Sequence, residues 1–256
     1  MGEDQEPSSH AKGPAVIVSD SGRVRILTLN RPHKVNAFTA ISYRLLADAL
    51  DEADASELVS VVLLEGAGRG FSSGVDLSVV DTDGDVLAET FDDLVDSLIR
   101  FSKPLLAAVH GPAVGFGATI LLYCDIVLVA ETARMRLPFT ALGTAPEAAS
   151  SVLLPQLVGL QRAADLLLTS RWITGLEAAQ MGLAARCCTD ESLHSEARAA
   201  AAALSELPEP ALRTAKRLVR AGCEDIVRKA LDRERVEARA LRGSLGPMGH
   251  AGDNAP

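Results

Sequence analysis

The sequence predicts an α/β fold, a spiral of strand, strand and helix units followed by a helical C-terminal region. Three observations carry that expectation. Residues 16–19 and 23–30 read as strands on either side of a Ser21-Gly22 turn. A segment with Ile41, Leu45, Leu46, Ala49, Leu50 and Ala53 on one helical face comes next, and then a buried-strand candidate over residues 60–65. Near the other end, three helical candidates, residues 193–206, 210–220 and 224–242, are separated by breaks at Pro208 and Gly222. Strand, strand, helix, strand begins a repeating spiral and not an antiparallel sandwich. With 256 residues, 48% of them hydrophobic, the chain is long enough to bury a substantial core.

Taken in order, residues 1–13 read as a flexible polar tail, 14–192 as the spiral core, 193–242 as the helical region and 243–256 as a second flexible tail. The segment Arg-Pro-His-Lys-Val-Asn-Ala-Phe, residues 31–38, feeds the first helix. Residues 65–77, EGAGRGFSSGVDL, are glycine-rich, yet they do not complete a dinucleotide fingerprint and no phosphate-loop lysine succeeds them. Gly70-Phe71-Ser72-Ser73-Gly74 formally satisfies the G-x-S-x-G pattern of a hydrolase nucleophile, with Ser72 at its centre. Against that reading, several loop residues separate it from the preceding strand, and the residues after it make a poor helix. His110, His194 and His250 lie downstream without a convincing acidic partner. Asp81, Asp83 and Asp85 surround Gly84, which is misplaced for a calcium loop, so the segment reads as an acidic solvent loop. Residues 86–101 form an amphipathic helix closed by Lys103-Pro104, and residues 105–110 and 126–130 are further strands. His110, before Gly111-Pro112, reads as structural. Thr174-Gly175-Leu176-Glu177 is a capping box for a short helix ending at Gly182, and residues 184–188 are a final edge strand.

The chemistry concentrates in residues 110–151. Phe116 sits between Gly115 and Gly117 at the first turn of a short helix over residues 116–123. Flanking glycines admit a substrate close to the backbone, and first-turn amides have no partner inside the helix. An oxyanion can use them. Pro146 suits the first position of another helix, with Glu147 beside it and then the small residues Ala148, Ala149, Ser150 and Ser151. A single acid therefore enters an apolar neighbourhood, where desolvation raises its pKa and a helix terminus lowers it.

GPAVGFGA, CDIVLVA, LPFTALGTAPEAASS and, upstream, GRGFSSGVDL resemble the crotonase (enoyl-CoA hydratase/isomerase) superfamily, over about residues 24–188. The resemblance implies a crotonase-like spiral of ββα units that binds acyl-CoA thioesters and stabilises an enolate-like anion with two backbone amides. By matching motifs those amides belong to Ser73 and Phe116, and Gly74, Val75, Asp76 and Leu77 border the substrate. The family's hydratases carry two glutamates at positions that here read Thr119 and Phe139, and adding water needs groups that both position it and move its protons. Pro138-Phe139 and Ala145-Pro146-Glu147 instead resemble the peroxisomal-type Δ3,Δ2-enoyl-CoA isomerases, in which one glutamate shifts a double bond. Glu147 is then the catalytic base, and no metal or redox cofactor is called for, CoA being part of the substrate. The implied alternatives are another acyl-CoA enzyme of the fold, a hydratase or thioesterase, or a non-catalytic acyl-CoA or protein-binding module. Ala148-Ala149 departs from the glycine-containing isomerase motif.

The resemblance extends to binding and assembly. Lys34, Val35 and Ala37 correspond to a segment lining the CoA channel, and the apolar side of the helix over residues 86–101 borders the acyl pocket. Arg134 and Arg136 read either as solvated strand residues or as an aid to substrate binding. The C-terminal region is expected to build a homo-oligomer, a trimer or hexamer. A net charge of -9 and a pI near 5.1 speak against general nucleic-acid binding. Cys124, Cys187, Cys188 and Cys223 have no metal-ligand spacing and suit a reduced compartment. No apolar run approaches a membrane span, the first residues do not resemble a signal peptide, and the final Asn-Ala-Pro is not a peroxisomal address. The expected location is a bacterial cytoplasm.

Overall fold

The computed structural model describes residues 13–245. The first tail, but for Gly13, and residues 246–256 of the second lie outside the described residues. The chain opens with the expected hairpin, β1 (Val16–Ser21) against β2 (Val24–Leu29), although Ser21 still pairs with Val24 and the turn falls at Gly22-Arg23, one residue later than expected. Helix α1 (Ala40–Ala55) is started by a reciprocal cap in which the Ser42 hydroxyl accepts the Thr39 N–H at 2.6 Å. Next come β3 (Val61–Gly66), α2 (Val80–Arg100), β4 (Leu105–Val109) and β5 (Pro112–Val114). The predicted helix at Phe116 is α3 (Phe116–Thr119), tightened into a 3-10 turn over Ile120–Tyr123. Beyond it lie β6 (Ile126–Ala130), β7 (Arg134–Arg136), α4 (Ser150–Val158), α5 (Leu160–Thr169) and β8 (Ile173–Thr174). The chain closes with α6 (Gly175–Met181), β9 (Arg186–Cys188), α7 (Leu193–Ser205), α8 (Glu209–Val219) and α9 (Cys223–Leu245).

The main sheet runs β1-β2-β3-β4-β6-β9 and is parallel from β2 onward. A small second sheet, β5-β7-β8, stands beside it. Strands β3 and β4 are buried on both faces, which is why they read as continuous apolar runs without alternation. Leu63, Leu64, Leu106 and Ala107 sit at the centre with no more than 1% exposure. Parallel strands all release their chains at one edge, where ligands of α/β proteins bind. Here the loops after β3 and β4 lead directly to Ser73 and Phe116.

Two expectations are corrected, and one feature is added. The segment around Asp81, Asp83 and Asp85 is not a loop: a 3-10 turn over Leu77–Val79, capped by Asp76 through the Ser78 amide at 3.2 Å, leads into α2 at Val80. An acidic first stretch is favourable against the positive end of a helix dipole, a helix-start signal that the solvent-loop reading passed over. Pro146 does not open a helix either. Ala148 and Ala149 both take φ of 55°, and α4 starts at Ser150. Finally, the second sheet was legible only as an arginine-bearing strand segment, because its strands are two or three residues long and carry no period. The capping box at Thr174 and the three C-terminal helices lie where the sequence places them.

Candidate active site

The loop after β3 passes between two partners. On one side Ser72 bridges to Ala113 of β5, with the Ser72 N–H donating to the Pro112 carbonyl at 3.0 Å. On the other, the Ser73 N–H donates to the Val35 carbonyl at 2.8 Å, the Phe38 N–H to the Gly74 carbonyl at 2.7 Å, and the Asp76 N–H to the Phe38 carbonyl at 2.8 Å. This pairing corrects the assignment of Ser73 as an oxyanion donor, because its amide is already bonded. Within a parallel bridge, bonding through Gly74 and Asp76 turns the amide of the residue between them the opposite way. That residue is Val75, and among the described residues no acceptor is paired with its N–H.

Phe116 behaves as the sequence suggests. It is the first residue of α3, and the Gly115 carbonyl takes the N–H groups of Ala118 and Thr119, each at 2.9 Å, leaving the Phe116 amide without an acceptor among the described residues. Two glycines let the loops that carry these amides approach each other closely. A Cβ on Gly74, which has φ of 87°, would lie 2.6 Å from the Val114 carbonyl oxygen, and one on Gly117 would lie 2.6 Å from that of Ser72. The Phe116 ring is locked edge-on against Phe38, Tyr43 and Phe91, with centroids 5.0 to 5.3 Å away.

A cavity of about 430 Å³ opens here, lined by Val75, Leu77, Phe116, Phe139 and Glu147 among others. Val80, Leu87 and Phe91 of α2 supply an apolar wall, as expected for that helix. Glu147 is half-buried, and its carboxylate makes no hydrogen bond or ion pair among the described residues. Burial, reinforced by the neighbouring Glu234 carboxylate, pushes its pKa up to about 7. Glu234 also lines the cavity but accepts the Ala149 and Ser151 N–H groups at 2.8 and 2.9 Å. Thr119 and Phe139, at the two positions where an additional acid was sought, are buried at 0% and 4% exposure. The Tyr43 hydroxyl is buried beside the cavity with no partner among the described residues.

The remaining residues singled out by their motifs divide between the cavity and its supports. Gly74, Val75 and Leu77 line the cavity. Asp76 does not: burial opposes its charge, but the Ser78 hydroxyl at 2.6 Å and Arg31 at 3.0 Å hold its pKa below the usual carboxylate value, which makes it a turn-forming residue. Lys34 is exposed, and its carbonyl accepts the Ser73 hydroxyl at 3.0 Å. Val35, whose carbonyl accepts the Ser73 N–H, and Ala37 are likewise not part of the cavity wall. Arg136 reaches the cavity with its Nε donating to the Ser170 carbonyl at 2.6 Å. Sequence reasoning missed Glu234, Arg235, Arg239 and Arg242, which α9 brings to the cavity; their only sequence signal was a charged helix face. Ser72 is fully buried, its hydroxyl donating to the Asn36 carbonyl at 2.9 Å and accepting the Gly74 N–H at 3.1 Å. A serine so enclosed and so bonded is no nucleophile. His110 hydrogen-bonds the Gly68 carbonyl at 2.8 Å and lies outside the cavity. All four cysteines are free, and no cluster suited to a metal occurs among the described residues.

Comparison with known proteins bears directly on this geometry. A family profile described as "Enoyl-CoA hydratase/isomerase" matches residues 20–240. The chain is 32% identical to the enoyl-CoA delta isomerase 2 of Rattus norvegicus over 231 residues, 84% of this chain and 59% of that protein. It therefore spans little more than half of the rat protein's length. It is 34% identical to a probable enoyl-CoA hydratase of Rhizobium meliloti (strain 1021), with 86% of each covered. A crystal structure of an enoyl-CoA hydratase/isomerase from Pseudoalteromonas atlantica T6c superposes with a TM-score of 0.86 at 35% identity, covering 90% of this chain and 92% of that one.

Proposed function

The chain belongs to the enoyl-CoA hydratase/isomerase family, and from that membership and its uncommitted cavity carboxylate we propose that it is a Δ3,Δ2-enoyl-CoA isomerase. The single observation that carries this reading is Glu147: of the carboxylates lining the cavity, Glu234 accepts two amides and Asp92 pairs with Arg235 at 2.7 Å, while Glu147 remains free among the described residues. One base suffices to move a double bond. Hydration needs a second group to handle water, and Thr119 and Phe139 offer none.

In this reading the thioester carbonyl of a 3-enoyl-CoA accepts hydrogen bonds from the Val75 and Phe116 amides. Glu147 removes a proton from C2, the electrons delocalise into a dienolate, and the same carboxyl returns the proton at C4 to give the conjugated 2-enoyl-CoA. A pKa near 7 suits both halves of the step, since the group must take a proton and then release it. Removing one oxyanion donor costs about 2.7 to 4 kcal/mol in a characterised enzyme, and a placed base contributes roughly 100-fold to 10,000-fold. The two devices therefore have to act together. Lys34, exposed beside the Ser73 loop, and Arg239 and Arg242 at the cavity are proposed to offset the CoA phosphates.

The test is an isomerase assay over short to long 3-enoyl-CoA substrates. Turnover abolished by Glu147→Gln, with CoA-ester binding retained, is the expected result. Binding without conversion at every chain length, or hydration of a 2-enoyl-CoA as the dominant activity, would overturn the proposal.

A further inference from the structure

The two residues after Glu147 have an unusual backbone. Ala148 and Ala149 both lie in the left-handed region at φ of 55°, which is unfavourable for any residue with a Cβ. Such a turn persists only if its surroundings hold it. Ala149 is also the N-cap of α4, and alanine has no side chain with which to cap. The sequence around the base thus supplies neither a glycine nor a cap.

Both deficits are met from elsewhere in the fold. The Tyr123 hydroxyl donates to the Ala148 carbonyl at 2.9 Å. Glu234, 85 residues away from Ala149 on α9, accepts the Ala149 N–H at 2.8 Å through Oε2 and the Ser151 N–H at 2.9 Å through Oε1. It is only 7% exposed and forms no ion pair among the described residues. A buried carboxylate bonded to two amides at the start of a helix is a cap delivered by another helix.

We propose that Glu234 is a positioning residue of the site, whose carboxylate caps α4 across the fold and holds the left-handed Ala148-Ala149 turn that presents Glu147 to the cavity. Burial raises the pKa of Glu234 itself while the Ser151 and Ala149 donors favour the charged form, and that charge has a second consequence. Burial does most to raise the proton affinity of Glu147, and the Glu234 carboxylate adds to it. The other titratable or charged groups around Glu147 are Tyr43 from α1, Asp92 from α2, Arg136 from β7, and Arg235, Arg239 and Arg242 from α9. Arg235 is engaged by Asp92 at 2.7 Å and by Asp232 at 3.3 Å. A cap that was only structural would leave the titration of Glu147 in place when its charge was removed while its shape was kept.

The role in catalysis rests on the isomerase reading, but its decisive measurement does not. Protein labelled with carboxyl-13C glutamate is titrated by NMR, the Glu147 signal being assigned from its loss in Glu147→Gln. Glu234→Gln keeps the shape and one acceptor, and it should lower the Glu147 midpoint by on the order of one pH unit. In the isomerase assay, Glu234→Gln should move the acidic limb of kcat downward by the same amount. Glu234→Ala should lower kcat about tenfold or more with KM changed less than about twofold. Adding Ala148→Gly and Ala149→Gly to Glu234→Ala should recover part of that loss, because glycine adopts the turn without a cap. An unmoved Glu147 midpoint in Glu234→Gln would overturn the proposal even for a protein without isomerase activity, and so would full kcat in folded Glu234→Ala.

Discussion

Glu147 is unfavourable to the fold in the ionised form that the proposed reaction needs. Its pKa is raised from an ordinary 4.5 to about 7, so the folded protein holds that proton more tightly than the unfolded chain does. Ionisation therefore costs stability progressively as pH rises from about 4.5 to 7, and the cost is fully present above that window. A rise of that size corresponds to on the order of 3 kcal/mol. Glu147→Gln should accordingly raise stability at pH 8 by up to about 3 kcal/mol and leave it nearly unchanged at about pH 4.5. Urea unfolding at the two pH values checks this, and equal effects at both would contradict it. At the same scale, Val75 and Phe116 offer main-chain amides at the cavity that are unpaired among the described residues, the groups proposed here as oxyanion donors. The sequence motif led to the right loop but to Ser73, since which amide is spent depends on pairing with Val35 and Phe38.

Elements are joined by a few buried polar anchors. Lys103 is 1% exposed, and its ammonium donates to the carbonyls of Ala53, Ser56 and Val59 at 2.7, 2.5 and 2.7 Å. These carbonyls stand at the end of α1 and in the loop that carries the chain to β3, where the Ser56 carbonyl also accepts the Val59 N–H at 3.4 Å. Lys103→Met keeps the apolar stem but removes every donor, so it should destabilise by about 3 kcal/mol, roughly what orphaned buried acceptors cost. Thermal or chemical unfolding measures it, and a loss below about 1 kcal/mol would mean that water replaces the ammonium. The sequence showed Lys103 only as the residue before Pro104 that ends a helix. Asp125 is a second such anchor, accepting the Leu105 amide and pairing with Lys216 and Arg220 at 2.8 to 3.0 Å.

For the molecule as a whole, the described surface exposes large apolar side chains that one protomer leaves uncovered. Leu160 and Leu168 of α5 are 74% and 70% exposed, and Leu218 and Val219 of α8 are 67% and 83% exposed. Scattered apolar residues alone are unremarkable, but Leu218 and Val219 fall within residues 193–242, the region expected to build an oligomer, while Leu160 and Leu168 lie outside it. The protein should sediment as a trimer or hexamer, and replacing Leu160, Leu168 and Leu218 with glutamate should yield smaller species. A wild-type monomer at micromolar concentration in analytical ultracentrifugation would refute the expectation. No described helix is long and apolar enough to cross a membrane.

The sequence by itself determined what depends on near neighbours. Helical and strand periods placed α1, β3, β4, β6 and the C-terminal helices, the Thr174 cap fixed α6, and local motifs singled out Phe116 and Glu147. Tertiary structure alone decided what depends on partners far along the chain. It turned the Val75 amide free and used that of Ser73, made a helix of the acidic segment after Val79, and brought Glu234 from α9 to cap α4. The physical reason is that hydrogen-bond direction and burial are properties of a packed neighbourhood. A linear pattern records which groups a residue carries, and only the fold establishes which of them are already satisfied.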